Sequence, residues 1–217
     1  MVLMALATLR NLTDDYEVIV VNDGSADYTA EILKELERNQ PCVKVIQHNE
    51  NRGYGAALIT GISSCSKDLI FYTDGDAQYD VRELALLLPN LTEGVEWVNG
   101  YKISRSDPLH RRIIGRIYHW VAKISFNLRL RDVDCDFRLM RRAMFDRVRL
   151  KSQDGVICVE MIKKFQDAGF RAKEVPVHHY FRAYGKSQFF NFQRIFRIAF
   201  HLTRLWWELM IKKSHRS

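Results

Sequence analysis

The sequence has few cysteines, and no two of them stand at metal-binding spacing. The four are scattered through the chain without a C-x-x-C pair: Cys42, Cys65, Cys135 and Cys158. Neither a structural zinc site nor a disulfide framework is therefore indicated, and a reducing compartment is favoured. A chain of 217 residues with 47% hydrophobic content can instead be held by one sizeable hydrophobic core.

Long apolar runs are also lacking. No uncharged stretch approaches the roughly 20 residues that are needed to span a bilayer. Residues 1–9 are apolar but have no basic region before them, so they make a poor signal peptide. We expect a helix here, one whose preceding strand is missing from this chain.

Each half of the chain is poor in charge of one sign. Residues 1–100 contain 7 lysines and arginines against 16 aspartates and glutamates, whereas residues 101–217 contain 26 against 10. The formal net charge of +7 thus hides an acidic half and a basic half. An acidic half suits a metal, and a basic half suits phosphates, nucleic acid or an anionic membrane surface.

The central feature that is present is an apolar run followed by two carboxylates. Residues 69–72 are typical of a short buried strand, and Asp74, Asp76 and Gln78 follow directly. Ligands bind at the carboxyl ends of strands in open α/β sheets. Two carboxylates at such an end repel one another unless a hard cation binds between them. The alternative is a polar turn with an acidic helix start at Asp80.

Strands and helices alternate through the acidic half, which predicts a parallel sheet with crossover helices. The strands are expected at residues 17–21, 43–46 and 69–72. The polar loops at or after strand ends are residues 22–25, 51–55 and 74–76. In a parallel sheet these loops lie on one edge, where glycines permit close approach to a ligand and helix starts offer N–H groups to phosphate.

Three motifs occur together: residues 20–25 (VVNDGS), 51–57 (NRGYGAA) and 74–78 (DGDAQ). They resemble motifs of the family-2 inverting glycosyltransferases, above all the dolichol-phosphate mannose synthase and bacterial polyprenyl-phosphate glycosyltransferase branch. The resemblance runs from residue 17 to about residue 190. It implies an α/β fold of the GT-A type, with a mostly parallel sheet and flanking helices. The chain departs from the family at its start, where a strand with a Pro-x-Tyr-Asn-Glu-like segment is missing.

The resemblance also implies a nucleoside-diphosphate sugar as donor and Mg²⁺ or Mn²⁺ as cofactor. The metal ligands that it implies are Asp74, Asp76 and Gln78. The nucleotide-sugar-binding residues that it implies are Asn22, Asp23, Asn51, Gly53, Gly55 and Asp74.

A second Asp-x-Asp, formed by Asp134 and Asp136, competes for the metal role. A helix is expected before it and another over residues 139–148, which argues against a strand-end geometry. The stretch resembles the family's Asp-x-x-x-x-Phe-Arg segment, in which Asp132 matches the first position. Helix capping and arginine pairing are alternatives to a chemical role.

Two segments of the basic half, residues 111–131 and 190–213, have the marks of interfacial helices. Each combines a basic stripe at helical spacing with a wide apolar face that includes tryptophan. Packing of these helices on the sheet is the alternative. We expect the protein to lie on an anionic membrane surface, at the cytoplasmic face, without crossing the bilayer.

A basic loop completes the set of candidate site residues. Arg182, Lys186 and Ser187 resemble the branch's Arg-x-x-Gly-x-Ser loop and could hold a phosphate, although a solvated basic loop is the alternative. The residues expected at the acceptor phosphate are Arg112, Arg116, Arg131, Arg182, Lys186 and Ser187.

The choice of acceptor depends on whether the chain supplies a base. A sugar hydroxyl needs a carboxylate to take its proton, whereas a phosphate monoester is already ionised near neutral pH. Many family-2 enzymes carry a Glu-Asp pair about a helix before a glycine, but before Gly169 that position reads Ile157-Cys158. Asp154 stays a candidate base beside Asp74 and Asp76 in the expected catalytic set.

We therefore expect hexosyl transfer to a polyprenyl phosphate with inversion of the anomeric centre. Residues 1–190 would form the catalytic domain, and residues 191–217 an amphipathic basic helix. The alternatives are a sugar-hydroxyl acceptor and a non-catalytic nucleotide- or membrane-binding remnant. The acidic strand-end cluster argues against a nucleic-acid binder.

Overall fold

The computed structural model describes residues 1–103, 109–181, 192–213 and 215, with the main chain alone for residues 109–114 and 192–195. The described chain has an α/β fold with flanking helices, as expected. The strands are β1 Val18–Asn22, β2 Val43–Gln47, β3 Leu69–Thr73, β4 Trp97–Lys102, β5 Phe137–Arg141 and β6 Ala172–Val177. The helices are α1 Val2–Arg10, α2 Thr29–Asn39, α3 Tyr54–Ser63, α4 Leu84–Leu87, α5 Leu109–Ser125, α6 Met144–Arg147, α7 Ile157–Asp167 and α8 Phe192–Trp206.

The strands form two sheets, one parallel and one mixed. β1 and β2 pair in parallel, whereas the second sheet has the order β3-β5-β4-β6. Within it β4 and β6 are parallel, and β5 is antiparallel to both of its neighbours. Among the described residues β1 and β3 share no ladder, but Glu17 accepts the Ser66 N–H at 2.5 Å and links their starts.

The prediction of a helix over residues 139–148 is wrong for its first part. Residues 137–141 form strand β5, and Met144–Arg147 alone is helical. Four successive side chains of β5 are buried, because apolar clusters cover both faces of this inner strand. A strand buried on both faces lacks the alternation of apolar and polar residues by which sequence patterns reveal strands.

The larger apolar cluster lies between the second sheet and helices α5, α7 and α8. Leu202, Leu205 and Leu209 belong to it, so the inner side of α8 and of the π-helical turn Trp207–Ile211 packs in the core. Trp206 Nε1 donates to the Ser125 carbonyl at 2.9 Å and joins α8 to the end of α5. In the described part of the chain, no helix is both long enough and apolar enough to span a bilayer.

Arg138 places a fully buried charge in the centre of the second sheet. Its Nε donates to Asn99 Oδ1 at 2.9 Å, and its Nη2 donates to the Val133 carbonyl at 2.8 Å. The same nitrogen lies 3.9 Å from Asp136 Oδ1. A buried guanidinium of this kind is stable only while its acceptors remain in place, and they in turn depend on it.

Arg138→Ala should lower the free energy of unfolding by about 3–5 kcal/mol, because it leaves buried acceptors without a charged donor. Arg141→Ala is the matched control: Arg141 lies in the same strand, but its side chain is exposed. The control should change the free energy of unfolding by less than about 1 kcal/mol. Urea denaturation followed by tryptophan fluorescence measures both, and equal losses would contradict a special role for Arg138.

Candidate active site

The loop after β3 contains the three predicted metal ligands. Asp74, Asp76 and Gln78 are half-buried there, and Ala77 between them has a left-handed φ of 59°, which is unusual for a residue with a side chain. Asp76 Oδ1 accepts the Gln78 N–H at 3.0 Å. Gln78 Nε2 donates to the Tyr180 carbonyl at 3.1 Å, which ties the loop to the segment after β6.

Asp136 lies beside Asp74 at this site, and it also lies near Arg138, so the arginine pairing that the sequence offered as an alternative is present as well. Because β5 runs antiparallel to β3, the residue that precedes β5 lies beside the end of β3. Asp136 Oδ1 accepts the Tyr72 hydroxyl at 2.8 Å and the Cys158 thiol at 3.3 Å. The signal that could have revealed it is the apolar character of residues 137–140 directly after an aspartate.

Two tyrosines connect Asp74 with Asp136. The Tyr54 hydroxyl donates to Asp74 Oδ1 at 3.0 Å, the Tyr72 hydroxyl donates to Asp136, and the two hydroxyls contact each other. Burial raises the pKa of Asp74 well above its ordinary value, and the charges of Asp136 and Asp76 raise it further. Burial also raises the pKa of Tyr54, so its hydroxyl stays protonated and able to donate.

This donor set fits a divalent cation. Carboxylate and amide oxygens are the ligands that Mg²⁺ and Mn²⁺ prefer. The raised pKa of Asp74 shows that its surroundings disfavour the ionised form, and a bound cation would reverse that preference. The residues that would hold the cation are Asp74, Asp76 and Gln78, the set expected from the sequence.

The second Asp-x-Asp is divided between two surroundings. Asp136 lies at the end of β3. Asp134 belongs instead to a cluster with His119 and Asp132, in which one ligand atom from each residue lies within 4.8 Å of the others. Asp132 accepts the main-chain N–H groups of Lys102 and Asp134, each at 3.1 Å, and so caps the turn. Lys102 Nζ donates to the Asp134 carbonyl at 2.5 Å. The charge of Lys102 also acts to lower the pKa of Asp74, so this ammonium does not by itself decide between the cluster and the loop after β3.

Asp23 organises the loop at residues 51–55. Its carboxylate accepts the Arg52 N–H at 2.9 Å and the Gly53 N–H at 2.8 Å, and it lies 2.7 Å from His48 Nδ1. Burial raises the pKa of Asp23, but the hydrogen bonds from His48 and the two main-chain N–H groups outweigh that effect and lower the pKa overall. Asp23 therefore holds the predicted donor loop through its main chain.

Gly53 and Gly55 allow this loop to approach the segment before α7. A Cβ atom on Gly53 would lie 2.5 Å from the Gln153 carbonyl oxygen, and one on Gly55 would overlap the Ser152 carbonyl oxygen. The Gln153 carbonyl accepts the Gly55 N–H at 2.8 Å. The close approach that we predicted from these glycines is thus made to protein main chain.

The other residues predicted at the donor site differ in burial. Asn22 is buried, and its amide donates to Gln47 Oε1 at 2.8 Å and accepts the Ser25 N–H at 3.1 Å. It therefore shapes the turn after β1. Asn51 is exposed at the start of the loop that Asp23 holds.

The residues predicted at the acceptor phosphate are only partly described. Arg116 is exposed on α5, and the Arg131 guanidinium lies over the Tyr101 ring, 4.5 Å from its centre. The main chain of Arg112 lies in α5, but its side chain is outside the described set. Three predicted residues lie outside the described residues altogether: Arg182, Lys186 and Ser187.

Asp154, the candidate base, lies in the turn before α7. Its Oδ1 accepts the Val156 N–H at 3.0 Å, and its Oδ2 is hydrogen-bonded to His201 Nδ1 of α8. Both carboxylate oxygens of Asp154 therefore have protein partners.

Comparison with known proteins finds relatives along most of the chain. Residues 1–149 match the family described as Glycosyl transferase family 2. The undecaprenyl-phosphate 4-deoxy-4-formamido-L-arabinose transferases of Salmonella paratyphi A and Salmonella dublin are each 28% identical to it over 197 residues. These matches cover 90% of this chain but 59% of each relative, so the chain spans less than two thirds of the length of these relatives.

Solved structures share the fold. Glucosyl-3-phosphoglycerate synthase from Mycobacterium tuberculosis, in complex with Mn²⁺, UDP and glucosyl-3-phosphoglycerate, has a TM-score of 0.67 at 15% identity, over 94% of this chain and 73% of that chain. The complex of the same enzyme with Mn²⁺ and UDP-glucose has a TM-score of 0.66 at 17% identity, over 93% of this chain and 73% of that chain. At these identities the likeness establishes the fold alone.

Asp74→Asn and Asp76→Asn should each abolish Mn²⁺-dependent binding of a nucleoside diphosphate, because each removes a carboxylate from the loop after β3. The melting temperature of Asp74→Asn should not fall, since an amide avoids both the burial of a charge and the repulsion that together raise the pKa of Asp74. Calorimetric titration of UDP, with and without Mn²⁺, measures the binding. Asp134→Asn is the control and should change it little; an equal loss there would move the metal to the cluster of His119, Asp132 and Asp134.

Asp23→Asn should destabilise the chain at neutral pH by roughly 1.5–3 kcal/mol, the range for hydrogen bonds to a charged group. The folded-state pKa of Asp23 is lowered, so its ionised carboxylate stabilises the fold above the ordinary pKa of an aspartate. This contribution disappears as the pH falls through the lowered pKa. Urea unfolding of both proteins should show a constant difference near neutral pH that shrinks below about pH 4. A difference that persists in acid would show that ionisation of Asp23 is not its source.

Proposed function

The chain belongs to glycosyltransferase family 2, and we propose that it transfers a glycosyl group from a nucleoside-diphosphate sugar to a polyprenyl phosphate, with inversion at the anomeric carbon. The observation that carries the proposal is that the charges of Asp76 and Asp136 act on the buried carboxyl group of Asp74 at the end of β3. A site with this charge favours a divalent cation, and a cation is what a diphosphate leaving group requires.

The comparisons support each substrate separately. Structures with the same fold contain Mn²⁺ with UDP or UDP-glucose, which supports a nucleotide-sugar donor. The relatives are named for transfer to undecaprenyl phosphate, which supports a polyprenyl-phosphate acceptor. We propose a hexose as the transferred sugar, as in a dolichyl-phosphate mannosyltransferase. Because the relatives are named for a formamido-arabinose, that sugar belongs in the same test.

On the donor side, Asp74, Asp76 and Gln78 would hold Mg²⁺ or Mn²⁺, which would neutralise the charge that develops on the leaving diphosphate. Tyr54 keeps Asp74 in position through its hydrogen bond of 3.0 Å. Asp23 keeps the loop at residues 51–55 in place by accepting the main-chain N–H groups of Arg52 and Gly53.

On the acceptor side, a phosphate monoester is already ionised and attacks the anomeric carbon without a base. Arg182, Lys186 and Ser187, together with Arg112, Arg116 and Arg131, are the residues that we propose for its binding. A sugar hydroxyl would need a base, and Asp154, the candidate for that role, is hydrogen-bonded through both oxygens. This favours the lipid phosphate over the hydroxyl.

We further propose that α5 and α8 lie on an anionic membrane surface at the cytoplasmic face. Both helices have exposed apolar side chains, among them Ile117, Trp120, Ile124, Phe196 and Phe200, and Trp207 is exposed in the turn directly after α8. Ile124 is 73% exposed and Phe196 is 76% exposed, so packing in the core does not account for them. Arg197 and Arg204 are exposed on α8 as well and would meet anionic headgroups.

Transfer of labelled sugar from UDP-glucose, GDP-mannose and UDP-4-deoxy-4-formamido-L-arabinose to undecaprenyl and dolichyl phosphate tests the function. Transfer to the lipid phosphate that depends on Mn²⁺ or Mg²⁺ is the expected result. Donor binding without transfer to any acceptor would instead favour a non-catalytic binding module. Transfer to a sugar hydroxyl alone would overturn the proposed acceptor.

Arg182→Ala should reduce transfer to polyprenyl phosphate by roughly ten- to a hundred-fold, the effect of losing charge-assisted hydrogen bonds to the acceptor. Arg182→Lys should recover only part of the rate, because an ammonium cannot grip two phosphate oxygens in a planar fork. Calorimetry should find donor affinity unchanged in both variants. If donor affinity fell instead, the acceptor site would have to be sought among Arg112, Arg116 and Arg131.

Arg197→Gln combined with Arg204→Gln should weaken binding to anionic vesicles by roughly thirty-fold, at about 1 kcal/mol for each basic residue near the surface. The matched control combines Lys34→Gln with Arg38→Gln, which removes two exposed basic residues from α2. Vesicle sedimentation measures both double variants. A weakening of equal size in the control would show that net charge, and not α8, governs the binding.

A further inference from the structure

Helix α8 contacts the turn before α7 through the side chain of His201. His201 Nδ1 is hydrogen-bonded to Asp154 Oδ2, and both side chains are partly exposed, at 42% and 29%. Asp154 also accepts the Val156 N–H at 3.0 Å and, through its carbonyl, the Ile157 N–H at 3.1 Å. The contact therefore joins α8 to the main chain that begins α7.

The same turn supports the loop proposed to bind the donor. The Gln153 carbonyl, one residue before Asp154, accepts the N–H groups of Gly55 at 2.8 Å and Ala56 at 3.2 Å. Because no Cβ atom would fit at Gly55, the loop and the turn pack main chain against main chain. A shift of the turn would therefore shift the start of α3.

Beyond this start lie the two carboxylates of the donor site. The N–H of Gly53 binds Asp23 at 2.8 Å, and the hydroxyl of Tyr54 binds Asp74 at 3.0 Å. A continuous series of hydrogen bonds and main-chain contacts thus leads from His201 to the donor site. The elements that it crosses are α8, the turn before α7 and the start of α3.

His201 lies on a helix that has one side in the core and another exposed. Leu202 and Leu205 hold the inner side of the helix in the core, whereas Phe196, Phe200 and Arg197 lie exposed. A lipid surface that binds the exposed side would restrict the orientations of α8. In the orientation that the structure shows, His201 contacts Asp154.

We propose that His201 is a positioning residue: through Asp154 and the turn before α7, it couples the binding of α8 to a lipid surface with the affinity of the protein for its nucleotide-sugar donor. This inference rests on the proposed function. Coupling between two sites is reciprocal, so a surface that favours the His201–Asp154 contact raises donor affinity, and bound donor strengthens attachment to the surface. The size of the effect equals the difference in affinity of each ligand for the two arrangements.

The test measures nucleotide affinity with and without vesicles of phosphatidylglycerol and phosphatidylcholine in equal parts. The probe is whichever of UDP, GDP and dTDP binds most tightly with Mn²⁺, followed by calorimetry. Vesicles should raise its affinity by about five-fold or more in the wild type. The increase should disappear in His201→Ala and in Asp154→Asn, although both still bind vesicles. His201→Gln should restore part of it, since an amide can still donate to Asp154.

Thr203→Ala is the matched control, because Thr203 is exposed on α8 and its hydroxyl bonds within the helix, to the Ala199 carbonyl. It should keep the full increase. A merely structural role for His201 would lower affinity equally with and without vesicles, leave the increase in place, and overturn the coupling. Nucleotide binding that vesicles do not change in the wild type would overturn the coupling alone. Absence of nucleotide binding under every condition would overturn the proposed function along with it.

Discussion

Repulsion among carboxylates at the end of β3 is the constraint on which the rest of the structure depends. Asp74 lies near Asp76 and Asp136 in surroundings poor in water, and its pKa is raised accordingly. Each of two carboxylates accepts a hydrogen bond from a tyrosine hydroxyl: Asp74 from Tyr54, and Asp136 from Tyr72. Keeping carboxylates this close together costs stability, and a bound cation would relieve their repulsion.

Arg138 limits that cost from within the sheet. Its guanidinium is fully buried, is bound to Asn99 and Val133, and lies 3.9 Å from Asp136. It thereby stabilises one of the carboxylates without occupying the side where a ligand would bind. Strand β5 makes this arrangement possible, because its antiparallel course brings Asp136 to the end of β3.

Helix α8 and the turn after it have apolar side chains on two sides, and packing on the sheet accounts for only one of them. Core packing accounts for Leu202, Leu205 and Leu209, whereas Phe196 and Phe200 lie outside the core. One helix can therefore stabilise the fold and still present a surface to lipid. A helical stripe read from sequence shows that such a helix is amphipathic but does not show which partner covers each side.

The sequence by itself determined the α/β class, most of the helices and strands, and the loop with Asp74 and Asp76. These features depend on local patterns, since apolar runs and glycine-rich turns can be recognised within a few residues of sequence. Only the tertiary structure decided that Asp136 joins the site, that Gly55 packs on Gln153, and that β5 is a strand. The hydrogen bond from Tyr72 to Asp136 joins residues 64 apart, and that between Asp154 and His201 joins residues 47 apart. No local pattern encodes such pairs, because they exist only once the sheets and helices have packed.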